Sequence, residues 1–123
     1  MKITYSDFFD LSSEANRVIN RAEESDKPTE LSEKLRIFSR KQLKPIGEQW
    51  DDVLRTIELE HCEKNSKGHL ERDAQGRFVY KPEGWNGREK AAKEALKEEV
   101  ELDLEKVSQP ICAWINKVLC IDA

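Results

Sequence analysis

The sequence predicts a mainly α fold with a small β component. Four helices share one core, the central one is long and kinked, a short pair of terminal strands closes the chain, and a β-hairpin projects. Three observations predict it. Apolar residues recur at steps of three and four over long stretches. Two short segments, one near each end, have strand character, and a glycine-punctuated stretch between the helices breaks the helical period. At 123 residues the chain matches a single domain, 1–123, of the usual ~100–150 residues.

Each element has its own signal. Lys2-Ile3-Thr4-Tyr5 reads as a strand, and Ser6 or Asp7 can cap the helix that follows, whose apolar face is Phe8, Leu11, Ala15, Val18, Ile19 and Ala22. Glu23 to Lys27 has no apolar member and is the connector. Asp26 and Pro28 are good starters for a second helix. Its stripe runs through Leu31, Leu35, Phe38, Leu43, Ile46, Trp50, Val53, Leu54 and Ile57 to about His61. Pro45 removes one intrahelical bond and clashes with the preceding turn, which predicts a bend near Gln42.

From Glu63 to Gly87 the pattern changes. Asp73-Ala74-Gln75-Gly76 separates His69-Leu70-Glu71-Arg72 from Arg77-Phe78-Val79-Tyr80, a hairpin signal. Asn86 to Glu89 resembles a capping box for a helix carrying Ala91, Ala92, Ala95 and Leu96. Val100, Leu102 and Leu104 then alternate with Glu101, Asp103 and Glu105, giving a half-buried strand. An unpaired strand leaves a row of unmatched backbone groups, so this one is expected to pair with Lys2 to Tyr5. Ser108 and Pro110 open a last helix with Ile111, Trp114, Ile115, Val118, Leu119 and Ile121. No internal repeat is evident.

Composition excludes several classes of function. The chain is 37% hydrophobic and 37% charged, with 25 acids against 21 bases and a net charge of −4. No apolar run approaches the ~20 residues of a membrane span, and the first residues lack the apolar core of a signal peptide. A soluble, cytoplasmic protein with no membrane contact is the expectation. Three cysteines are few for a stapled secreted domain. Cys112 and Cys120 would lie about 12 Å apart along a continuous helix, too far for a disulfide. Reduced, buried thiols follow.

Chemistry at a reactive group finds little support. His61 and Cys62 are adjacent and diverge by about 100° on a helix, and no closely spaced ligand pair supports a zinc site with His69 or the other cysteines. A Cys–His nucleophile would need thiols that are not buried in an apolar helix. Elbow, phosphate-loop and zincin motifs are absent. Paired acids such as Asp51-Asp52 and Glu98-Glu99 read as solvated faces. The expectation is therefore no enzyme activity, no metal and no cofactor.

Two surfaces remain. Lys34, Arg36, Arg40, Lys41 and Lys44 form a basic patch without an acid among them, which could track phosphates. The acidic chain argues for a salt-bridged helix instead and against nucleic acid. The second surface is the aromatic connector, where Phe78, Tyr80 and Trp85 with Arg77 carry large apolar area on few torsions, as interface anchors do. Trp85, lying between Gly84 and Gly87, either anchors a protein partner or folds back onto the helices.

As an ordered set, the segments Met1-Lys2-Ile3-Thr4, Pro28 to Leu35, Asp73 to Gly76 and Glu99-Val100-Glu101-Leu102-Asp103-Leu104 resemble a family of small bacteriophage and prophage proteins. That resemblance spans essentially the whole chain. It implies a phage or mobile-element origin and no catalytic residues; taken with the aromatic connector, it leads to the expectation of action through a protein partner in the host cytoplasm or the virion. The partner would be a phage structural protein, which makes the chain a virion or tail accessory protein. The alternative is an anti-CRISPR-like inhibitor that binds a host defence effector through acidic faces at Glu23-Glu24 and Glu98 to Glu105. Homo-oligomerisation stays open. The aromatic content of the hairpin and the cysteines depart from the family pattern.

Overall fold

The computed structural model describes residues 1–105 and 107–120. The chain is mainly helical with one two-stranded sheet, the fold class its sequence predicts. The elements are β1 (Lys2–Thr4), α1 (Tyr5–Glu24), α2 (Glu30–Phe38), a π-helical turn (Ser39–Leu43), α3 (Lys44–His61), α4 (Gly84–Ala95), β2 (Glu99–Glu101) and α5 (Gln109–Val118). They fall into two compact units, Met1–Glu48 with Glu98–Ala123, and Gln49–Lys97.

In the first unit, β1 and β2 pair antiparallel with Ile3 opposite Val100, the pairing expected from the alternating segments. The ladder is shorter than the sequence suggests. Tyr5 already begins α1, because Thr4 and Asp7 cap it reciprocally, each side chain accepting the other's N–H at 3.1 Å. Neither Ser6 nor Asp7 is therefore the cap residue itself. Beyond Glu101, Leu102 donates to the Met1 carbonyl at 2.7 Å, while the Met1 ammonium reaches the Glu101 carboxylate at 2.9 Å. Leu102 is buried, and Glu101, Asp103 and Glu105 are exposed, as the alternation requires.

Phe8, Leu11, Ala15 and Ala22 from α1, Leu35 and Phe38 from α2, and Ile111, Trp114 and Ile115 from α5 are buried in this unit. Phe38 meets the Trp114 ring edge-on at 6.3 Å. The second helix starts later than Asp26 and Pro28 indicate. Thr29 is its N-cap, in a reciprocal box with the buried Ser32, and Asp26 sits at φ 52° in the connector. A bend was expected near Gln42, and the chain there winds into a π-helical turn. Lys44 donates to Ser39, five residues back, and the widened turn lies just before Pro45, which has no N–H to give. A step of five in the apolar stripe, from Phe38 to Leu43, carries the same information.

The second unit contains the end of α3, the 62–83 segment and α4. Its buried apolar side chains are Trp50, Ile57, Cys62 and Ala95. With so little core, backbone and polar contacts must do more. The hairpin about Asp73–Gly76 is one part of a larger figure, a closed ring of three eight-residue segments starting at Cys62, Leu70 and Phe78. Bridges join Cys62 to Tyr80, Leu70 to Lys64 and Phe78 to Arg72, so the first residue of each segment faces the third residue of another. The second residues close the ring: Glu63 N–H donates to Val79, Val79 to Glu71 and Glu71 to Glu63, at 2.8, 3.1 and 2.9 Å.

The corners repeat as well. Gly68, Gly76 and Gly84 each donate to the residue three before, Asn65, Asp73 and Lys81. Asn65 and Asp73 accept from two following backbone N–H groups in identical fashion, and Gly68 and Gly76 take φ of 80° and 81°. The internal repeat is therefore real, contrary to the sequence reading. It is written in backbone hydrogen bonds and glycine spacing, while the side chains at equivalent positions differ. The third corner departs where the ring becomes a helix. Glu83 at φ 62° leads directly into α4 without a side-chain cap, so the Asn86–Glu89 box is not the helix start.

α5 begins as expected, with Ser108 as N-cap and Pro110 in the first turn. It ends at Val118, which leaves Cys120 exposed and at φ 55°, while Cys62 is buried and Cys112 half-buried. The expectation of buried thiols therefore fails at Cys120, because the helix stops before it. Ile121 lies outside the described residues. Among those residues no helix is long and apolar enough to cross a membrane.

Candidate functional site

The polar centre of the second unit is Glu58, on the last turns of α3, with its side chain 12% exposed. Antiparallel pairing of Cys62 with Tyr80 directs both side chains to the same carboxylate oxygen, Oε2. The phenol donates at 2.8 Å and the thiol at 3.3 Å. Arg88 Nε, from α4, donates to Oε1 at 3.0 Å and its other arm reaches Glu89. One carboxylate thus ties α3, the ring and α4 together.

The electrostatics follow from that geometry. Burial alone would raise the Glu58 carboxyl, but donors from Arg88, Tyr80 and Cys62 outweigh it and hold it below the usual carboxylate range. Burial, reinforced by Glu58, pushes the Cys62 thiol up to about 11 and the Tyr80 phenol up to about 12. A thiol in that state is a hydrogen-bond donor and a poor nucleophile. His61 is engaged locally: Nδ1 donates to the Ile57 carbonyl at 2.8 Å, and the ring lies over Gly87. Among the described residues no group of three His, Cys, Asp or Glu side chains gathers as a metal would require.

Trp85 stands beside this centre and is 53% exposed, the most exposed large apolar side chain among the described residues. It is also held in place. Its ring meets Tyr80 edge-on at 5.1 Å, and the Arg88 guanidinium lies 5.5 Å from its centroid. The Glu58 carboxylate fixes both neighbours, so a surface tryptophan rests on a braced platform.

The four residues expected to bind a partner separate into distinct roles. Trp85 presents area outward. Tyr80 is half-buried, with its hydroxyl committed to Glu58. Phe78 is half-buried under Arg72, whose guanidinium sits 4.3 Å from the ring, the contact that their cross-strand pairing imposes. Arg77 is exposed at a corner, 3.4 Å from Asp73. A groove of about 610 Å³ separates α3 from the ring, with Leu54, Leu59, Leu70 and Phe78 as apolar lining and Arg55 and Arg72 among its polar groups.

The basic run in the first unit is not one patch. Lys34 pairs with Glu30 at 2.8 Å, and Arg36 is taken up by Glu23 and Glu33. Arg40, Lys41 and Lys44 are exposed and make no ion pair among the described residues. Glu58 and Arg88 escaped the sequence reading, because nothing distinguishes Glu58 from the other acids on the polar face of α3. The available signal was Cys62 one helical turn later, opposite a strand bearing Tyr80. Comparison of the chain with family models, with curated proteins and with solved structures finds no match.

Proposed function

We propose that the chain is a non-enzymatic protein of phage or prophage origin that acts by binding another protein, and that its docking surface is centred on Trp85. The observation that carries the reading is the braced exposure of that indole. Free surface tryptophans lose rotamer freedom on binding, whereas one already seated on Tyr80 and Arg88 loses little. Tryptophan, tyrosine and arginine are enriched among the few residues that carry most interface energy. The Cys62 thiol is held protonated by burial and Glu58, so it is a donor and not an activated nucleophile.

The phage origin rests on the sequence resemblance, whose most distinctive stretch, Glu99 to Leu104, contains β2. A virion or tail accessory role fits a small scaffold carrying one aromatic docking point. The alternative, inhibition of a defence effector through the acids at Glu23-Glu24 and Glu98 to Glu105, gives Trp85 no role, so substituting Trp85 separates the two. The test is quantitative affinity capture from phage-producing cells with the full chain and with Trp85→Ala, after circular dichroism shows both equally helical. A defined set of proteins is expected to fall by about tenfold or more with the variant. Recovery of the same proteins at the same level by both would overturn the reading.

A further inference from the structure

The first unit carries a groove that neither the aromatic platform nor the fold requires. About 280 Å³ in volume, it lies between the end of α2, the π-helical turn and the start of α5. Phe38, Ile111, Val107 and Ile37 give it an apolar lining, and Ile37 is 48% exposed. Lys34 and Lys41 also line it, and among the described residues no acidic side chain does. Lys41 has no ion partner among the described residues, and Lys34 holds only the highly exposed Glu30, a contact of little strength that a better-placed carboxylate displaces. Ser108, whose hydroxyl takes no part in capping α5, lies at the edge.

We infer that this groove is a second docking site, for an acidic protein segment that buries one large apolar side chain between two carboxylates. Size and charge both select this occupant. The volume falls at the floor of the ~300–1,000 Å³ range of small-molecule pockets, and suits a single leucine, phenylalanine or tryptophan anchor. The two lysines stand two helical turns apart, about 10 Å along the axis. Carboxylates span that distance when they stand three residues apart in an extended peptide, at ~3.3 Å per residue, or two turns apart on a partner helix. Lysine ammonium groups on a rim of this kind steer an acidic partner and reject a basic one. The π-helical turn contributes Lys41 and Gln42 to the same wall as Phe38, so the irregularity in the helix helps to shape the groove.

Selection of a random dodecapeptide display library on the immobilised full chain tests the inference whatever the natural partner is. Enriched peptides are expected to carry one large apolar residue flanked by Asp or Glu. Their synthetic versions should bind the wild-type chain and lose about tenfold or more against Ile37→Asp and against Lys41→Glu. Both substitutions fall on exposed side chains, so the fold is retained. Trp85→Ala should leave this binding unchanged, which keeps the site separable from the aromatic platform. Enrichment without acidic residues, or binding that survives both groove variants, overturns it. So does tighter competition by a single-stranded or duplex oligonucleotide than by the acidic peptides, which would assign the lysines to phosphates.

Discussion

Glu58 shows how one side chain can stand in for a core. Its carboxylate receives a guanidinium, a phenol and a thiol, and hydrogen bonds to a charged group are each worth ~1.5–3 kcal/mol when the partners are left unsatisfied. Glu58→Ala should therefore cost roughly 2–3 kcal/mol in urea unfolding, and Glu58→Gln less. The wild-type contribution is present above the usual carboxylate pKa and disappears as pH falls through the lower value in the folded chain. Glu58→Gln should flatten that acid limb. The alkaline side has the opposite sign. Unfolded cysteine loses its proton from about pH 8.5, while Cys62 in the fold holds its own up to about 11. Stability should fall by roughly 1 kcal/mol per pH unit across that window, and Cys62→Ala should remove the part below about pH 10, above which Tyr80, held protonated up to about 12, adds a slope of the same sign. Native alkylation checks the same picture: iodoacetamide should modify the exposed Cys120 first and the buried Cys62 last.

At the scale of elements, the second unit depends on its corners. A Cβ on Gly84 would stand 2.3 Å from the His61 carbonyl oxygen, a backbone atom that has nowhere to go. Gly84→Ala should cost about 2 kcal/mol or more. Gly76 has open space around it but φ of 81°, so Gly76→Ala should cost only the left-handed penalty of ~1 kcal/mol. Thermal melts of the two variants distinguish steric from conformational cost. The ring itself was hard to see in the sequence. Its three segments share a glycine at the seventh place, but the residues that follow, His69, Arg77 and Trp85, have nothing in common chemically. Closure runs through the amides of Glu63, Glu71 and Val79, to which side-chain patterns are blind. The hairpin was legible because Asp73 and Gly76 have local turn chemistry. The bridge from Cys62 to Tyr80 was not, because no local signal spans that separation.

For the whole molecule, periodicity was the dependable guide. The apolar stripes located α1, the α2–α3 run and α5. The alternation of Val100 and Leu102 with acids located the strand that meets the amino terminus. Where sequence reasoning placed a boundary by a capping signal, as at Pro28 or Asn86, a neighbouring group took the role: the Thr29–Ser32 box starts α2, and Glu83 leads into α4. Trp85 was legible as a candidate and ambiguous in direction, since a loop tryptophan between glycines can point either way. What settles its orientation is Tyr80 and Arg88, both held by an acid that looks ordinary in the sequence. Within the second unit the buried thiol and the imidazole over Gly87 are both committed to structural contacts, with Glu58 and with the Ile57 carbonyl.

The central claim is that Trp85 is the point of contact with a protein partner. Placing the photo-crosslinker p-benzoylphenylalanine at exposed Asn86, beside Trp85, in phage-producing cells tests it most directly, with the same replacement at exposed Lys93 on α4 as reference. Irradiation should yield one discrete protein adduct from position 86, lost when Trp85→Ala is added, and none from position 93. No adduct from position 86, or an adduct that survives Trp85→Ala, would contradict it.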